Sequence, residues 1–85
     1  MTSYSVYVES HIAESVGQMK LKERNQILRL FGKLRTDPFV EGDYVERDSI
    51  GRLMQVVIVG SHAVVFWVDH AVKEVKVIDL RFAGQ

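Results

Sequence analysis

Apolar and polar positions alternate at the start of the chain, recur at helical spacing through its middle, and alternate again to the end. Tyr4 to Glu9 alternates and is rich in Tyr and Val, which predicts a first strand. Ser10 is a candidate N-cap, and after it Ile12, Val16 and Met19 recur as one helical face, with Gly17 as a weak point or break. Ile27, Leu30, Phe31 and Leu34 then follow the spacing of a helix with one buried stripe. Asp37-Pro38 disfavours helix ahead of it, so this second helix should stop near Arg35 or Thr36, before an acidic loop over 37–43. From Asp43 onward the grammar is that of strands: DYVERD, RLMQVVIV, HAVVFWVD and EVKVIDLRF. The order β-α-α-β-β-β predicts an α+β fold in a single domain, 1–85, with two helices packed on one face of a mostly antiparallel sheet.

The hairpins set which side chains share a face. Gly60-Ser61 fits a tight turn with Gly at its first central position, so Val59 should face His62, Val57 face Val64, Gln55 face Phe66, and Arg52 face Asp69. In the last hairpin, Val68 opposite Val75 puts Phe66 by Val77, Val64 by Asp79 and His62 by Arg81. One face then collects Met54, Val56, Ile58, Ala63, Val65, Trp67, Ile78, Leu80 and Phe82, and is the expected seat of the helices. The other face collects the remaining valines with Phe66, and carries His62, Asp79 and Arg81 at one end. A slip of one residue would separate those groups. An uncovered valine strip of this size is an adhesive patch, so something should cover it: a segment of a partner, a second copy in a homodimer, or the curl of the sheet itself; alone, the chain should be poorly behaved.

Composition narrows the field. At 85 residues and 47% hydrophobic content the chain can bury one core, and its composition is that of a globular protein and not of a disordered one. It has no cysteine, which removes disulfides, a thiol nucleophile and thiolate zinc sites. Neither a signal peptide nor an apolar run of membrane-spanning length is present, so the expected location is cytoplasmic. Formal net charge is zero but segregated: residues 20–35 hold six Lys or Arg and one Glu, while residues 36–51 hold five acids and one Arg. Such a basic stretch is either a nucleic-acid footprint or a solvated helix face, and neutrality favours the second.

The element order, the link LRTDPFVEGDY, the hairpin GRLMQVVIVGSHAVVFWVD and the strand VKVIDLRF together resemble the RelE/ParE superfamily of toxins from type II toxin–antitoxin systems. The resemblance implies a toxin neutralised by a cognate antitoxin. It further implies one of two targets: messenger RNA cut on the ribosome, or DNA gyrase inhibited by binding. Cleavage in this family is a metal-free transesterification that needs a base, an acid and cations for the phosphorane-like transition state, and no cofactor. By resemblance, Arg81 matches the arginine late in the final strand, Arg47 a basic group on the second strand, and Arg52 one at the start of the third. The chain departs from the pattern in being neutral and in closing Phe82-Ala83-Gly84-Gln85, without the Tyr or His that several members carry.

Each candidate also has a plainer role. Arg81 can simply pair with Asp79. His62 suits proton transfer but also suits an exposed hairpin position. Arg52 can be occupied by Asp69, and Arg47 stands between Glu46 and Asp48 on a mixed-charge strand. Asp69, His70 and His62 do not make a credible metal set, because Asp69 should point away from both histidines. Trp67 and Phe66 are expected in the core before any role as stacking platforms, with Phe66 the better candidate of the two for an exposed role. A non-toxic binding or dimerisation module remains the third reading.

Overall fold

A computed structural model describes residues 3–83, so the closing Gly84-Gln85 lies outside it. The elements are β1 (Ser5–Val8), α1 (Ser10–Gly17), α2 (Leu21–Thr36), β2 (Tyr44–Arg47), β3 (Leu53–Val59), β4 (His62–Asp69) and β5 (Glu74–Phe82). They match the expected α+β order, with two helices on one face of a sheet ordered β1-β5-β4-β3-β2. β1 joins β5 in parallel and every other pairing is antiparallel. Ser10 is the first helical residue rather than the cap; Glu9 takes that place without a side-chain hydrogen bond. α1 ends at Gly17, and α2 ends at Thr36 just ahead of Asp37-Pro38.

The β3–β4 register is the expected one as far as Gln55 opposite Phe66, with Gly60 at φ +60 in the turn. The β4–β5 register follows expectation only from Val68↔Val75 to Phe66↔Val77. A β-bulge then places Val65 opposite Asp79, Ala63 opposite Arg81, and His62 opposite Phe82. Ile78 is the surplus residue. The cause is readable in the side chains: Val75 and Val77 alternate in one phase, Leu80 and Phe82 in the other. One extra residue brings all four to the same face.

That face is the one the helices cover, which corrects the expected assignment. Ile12 and Val16 of α1 and Ile27, Leu30 and Leu34 of α2 pack on Val64, Phe66, Val75 and Val77, flanked by Val57, Val59, Val68 and Leu80. Phe66 is fully buried there and forms no exposed platform; burying such a side chain contributes about 1.5–3 kcal/mol. The valine strip is therefore core, and the expected adhesive patch is absent. Both faces are apolar, so charge decides between them: Glu46, Lys76, Asp79 and Arg81 belong to the other face and cannot lie under a helix without unpaired burial.

The helix-free face nevertheless holds a second cluster of Met54, Val56, Ala63 and Val65, all at or below 7% exposure, with Trp67 and Ile78 around them. The sheet curls over this face and shields it. The segment entering β2 is tied to β3: the Gly42 N–H donates to Gln55 Oε1 at 2.7 Å, and the Asp43 N–H donates to the Val56 carbonyl at 2.8 Å. A Cβ at position 42 would lie 2.5 Å from the Val56 carbonyl oxygen and 2.8 Å from its nitrogen.

Two glycine substitutions should move stability in opposite directions in chemical denaturation. Gly42→Ala should cost about 1–3 kcal/mol, since backbone must yield on both sides. Gly32→Ala, in mid-α2 with nothing within 4 Å of the added methyl, should stabilise by about 0.8–1 kcal/mol.

Candidate functional site

The bulge turns Arg81 onto the helix-free, concave face, where two carboxylates meet it. Nη1 and Nη2 donate to Glu46 Oε2 and Oε1 at 2.8 and 2.9 Å, and Nε donates to Asp79 Oδ2 at 2.9 Å. Asp79 is itself oriented by the Leu80 N–H, 2.9 Å from Oδ1. β2 and β5 are separated by two intervening strands, at least three strand spacings or about 14 Å in a flat sheet. The bidentate contact therefore closes the curl as well as pairing charges. The Arg81 side chain is 41% exposed, so it remains within reach of a ligand.

The same pairing sets the ionisation of the cluster. Hydrogen bonding from Arg81 holds the Glu46 carboxyl below its ordinary 4.5. The hydrogen bonds that the guanidinium donates to Glu46, then to Asp79, push it above its already high value. Arg81 is a permanent cation and Glu46 an anion at neutral pH.

A second set lies on the same face. The Arg52 guanidinium sits 4.1 Å from the centre of the Trp67 ring, and Lys76 Nζ sits 5.1 Å from it. Arg52 is held by Asp48 at 2.8 Å rather than by the expected Asp69. Asp69 instead lies 3.7 Å from Lys76. Burial raises the Asp48 carboxyl, but N–H donors of Arg52 and Ile50 and the Arg52 guanidinium outweigh it, and the net shift is downward.

The remaining expected residues are elsewhere. His62 lies on the helix side, its Nδ1 3.6 Å from Glu23 Oε2 and its ring edge-on to Phe82. The expected His62–Arg81 centre does not form, because the bulge puts the two side chains on opposite faces of the sheet. Arg47 faces away from Glu46 on β2 and donates to the Gly51 carbonyl at 2.8 Å, bracing the β2–β3 turn. His70, after β4, accepts or donates a 2.9 Å contact with the Tyr4 hydroxyl and stacks on Phe39. Among the described residues no group of three His, Asp or Glu could hold a metal ion. The residue missed from the sequence is Glu46. Its alternation with Tyr44 puts it on the inner side of β2, but a partner three strands along the sheet is invisible in a linear pattern.

Three solved structures share this architecture. The first is an archaeal RelE–RelB complex from Pyrococcus horikoshii OT3, 14% identical, covering 99% of both chains at TM-score 0.82. The fold is that of the RelE toxins. A second RelE-like match is the toxin–antitoxin complex RelBE2 of Mycobacterium tuberculosis, 13% identical over 95% of this chain and 99% of that one, TM-score 0.74. The third is a free E. coli RelE toxin with two arginines replaced by alanine, 13% identical over 96% and 85%, TM-score 0.70. No protein-family model and no curated protein matches the sequence. No described helix of the RelE-like chain is long and apolar enough to cross a membrane.

The pairing makes stability pH-dependent with a fixed sign. Glu46 is depressed in the folded chain, so its contribution is complete above the ordinary value of 4.5 and is lost as pH falls below it. Arg81→Met should flatten this acid limb of the unfolding midpoint against pH, and the limb should survive in His62→Gln. Thermal melts between pH 7 and pH 3 check both.

Proposed function

We propose that the chain is the toxin of a type II toxin–antitoxin pair, a cytoplasmic endoribonuclease acting on messenger RNA at the ribosome. Full-length likeness to RelE chains, two of them in toxin–antitoxin complexes, supports the class. The observation that carries the chemistry is the Glu46–Arg81 pair on the concave face. A carboxylate that stays ionised is a base for a ribose 2′-hydroxyl, and a guanidinium fork fits the phosphate beside it. In the proposed step Glu46 takes the 2′-hydroxyl proton and O2′ bonds to phosphorus. The bond from phosphorus to the 5′-oxygen breaks, leaving a 2′,3′-cyclic phosphate. Arg81 offsets the charge gathering on the non-bridging oxygens. Asp79 keeps the guanidinium oriented. Arg52 and Lys76, both over the Trp67 ring, offer further cations to the neighbouring phosphates of the RNA.

None of the three histidines lies on this face, so the 5′-oxygen takes its proton from water or from the ribosome. An incomplete set of this kind agrees with activity that depends on the ribosome. Gyrase inhibition by binding is the second reading, favoured by the basic residues of α2, which the proposed reaction leaves unused.

Inducing the chain in bacteria and mapping transcript ends tests the first reading. New 5′ ends should appear, and Glu46→Gln and Arg81→Ala, each checked for native circular dichroism, should reduce them about 10²-fold or more. Growth arrest with intact transcripts and loss of supercoiling by purified gyrase would replace it with the second. Unimpaired growth on overexpression would leave only a binding module.

A further inference from the structure

A pocket between the α2–β2 link and the sheet is left unused by the proposed reaction. It has a volume of ≈ 310 Å³, and its lining includes Phe39 and Glu41 of the link, Leu53 and Gln55 of β3, Trp67 of β4, and His70 beyond it. That volume is at the low end for small-molecule sites, about 300–1,000 Å³. Leu53 and Gln55 alternate in phase with Val57 of the helix-side core, so the pocket belongs to the side of the sheet opposite Glu46 and Arg81. Trp67, which packs with the cluster of the concave face, stands at its rim.

The lining groups are held in fixed roles. The Phe39 N–H donates to Asp37 Oδ1 at 3.3 Å, in a side-chain turn that follows α2. The Phe39 ring stacks on His70, with centres 5.1 Å and planes 16° apart, yet Phe39 remains 71% exposed. His70 is oriented by the Tyr4 hydroxyl, 2.9 Å from Nδ1. Gln55 presents Oε1 to the Gly42 N–H at 2.7 Å, which leaves its amide nitrogen as a donor for an occupant. Glu41 makes no ion pair with a described residue. The pocket thus offers an aromatic face, an amide donor and an open carboxylate.

That set selects among planar ligands. A carboxylate accepts two parallel N–H donors, and guanine is the nucleobase that presents them side by side, from N1 and N2. Its O6, next along the same edge, suits the Gln55 donor, and its ring suits a face such as Phe39. Past the rim, the Arg52 guanidinium and Lys76 Nζ lie 4.1 and 5.1 Å from the centre of the Trp67 ring, a pair of cations for a phosphate.

We propose that this pocket binds a guanine nucleotide. The base stacks on Phe39, sets N1 and N2 on Glu41 and O6 on Gln55, and the phosphate reaches Arg52 and Lys76. The site itself stands without the toxin reading. Only the source of the nucleotide rests on it: a base of the RNA, or a free mononucleotide.

The probes are GMP, AMP and IMP, titrated against the isotope-labelled chain by NMR and by the emission of Trp67, the single tryptophan. GMP should shift the amides of Glu41, Gly42 and His70 and quench Trp67. AMP, with donor and acceptor exchanged on that edge, should bind more weakly by about tenfold or more, and IMP, lacking the N2 amine, should fall between. Glu41→Gln should abolish the preference for GMP, and Phe39→Ala should weaken all three by about tenfold. Both positions are exposed, so circular dichroism should stay native. Equal responses to GMP and AMP, or shifts confined to Asp79 and Arg81, would overturn the proposal. Short RNAs tell the sources apart: a uridine tract holding one guanosine should bind more tightly than GMP where RNA is the source, and no more tightly where a free nucleotide is. A chain that leaves transcripts intact but takes GMP here keeps this site without the toxin reading. One that cuts transcripts and binds no GMP loses this site alone.

Discussion

One surplus residue, Ile78 in β5, decides what each face of the sheet carries. With strict alternation, the phase that buries Val75 and Val77 would also bury Asp79 and Arg81 beneath α1. The bulge gives Val75, Val77, Leu80 and Phe82 to the helices and sends Asp79 and Arg81 to the opposite face. An uncompensated charge under a helix costs far more than the ladder bond that a bulge disturbs. The helix seat, the position of the cationic cluster and the separation of His62 from Arg81 all follow from this single irregularity.

The concave face then depends on a second constraint. Its apolar residues are shielded by curvature instead of by helices, and the Glu46–Arg81 fork holds the two ends of the curl together. In the proposed reaction the same contact has to open, because a substrate phosphate and Glu46 compete for the same guanidinium donors. Such an exchange is close to balanced: one anion replaces another on Arg81, and the carboxylate it releases is the base the reaction needs. Binding of phosphate and freeing of the base would be one event, with Asp79 preventing the guanidinium from swinging away.

Element order, helix ends and the β3–β4 register were legible because each has a local cause: periodicity, Asp37-Pro38, and the Gly60 turn. The last hairpin was legible only to Phe66↔Val77. Beyond it, the change of phase between Val77 and Leu80 is written in the sequence, but strict alternation overrode it. Choosing the helix face failed because both faces are apolar, and the deciding evidence was the position of charged residues at strand ends. Asp79 as a partner of Arg81 was readable, since the two are neighbours on one strand. Glu46 was not: its pairing is created by sheet curvature, which no linear pattern encodes.

Formal neutrality conceals an asymmetry that bears on recognition. The acidic stretch is largely engaged inside the fold: Asp37 accepts from Phe39 N–H, Asp43 from Ile58 N–H, Asp48 from Ile50 and Arg52, and Glu46 from Arg81. The basic stretch on α2 makes no ion pair with a described residue; Arg24 reaches the Gly17 carbonyl at 3.4 Å, and the stretch is otherwise turned to solvent. The field offered by that helix is therefore positive although the chain sums to zero, at the distances of about 10 Å over which surface charges act in dilute salt. Under the proposed function, the ribosome is a polyanion that would meet this flank first.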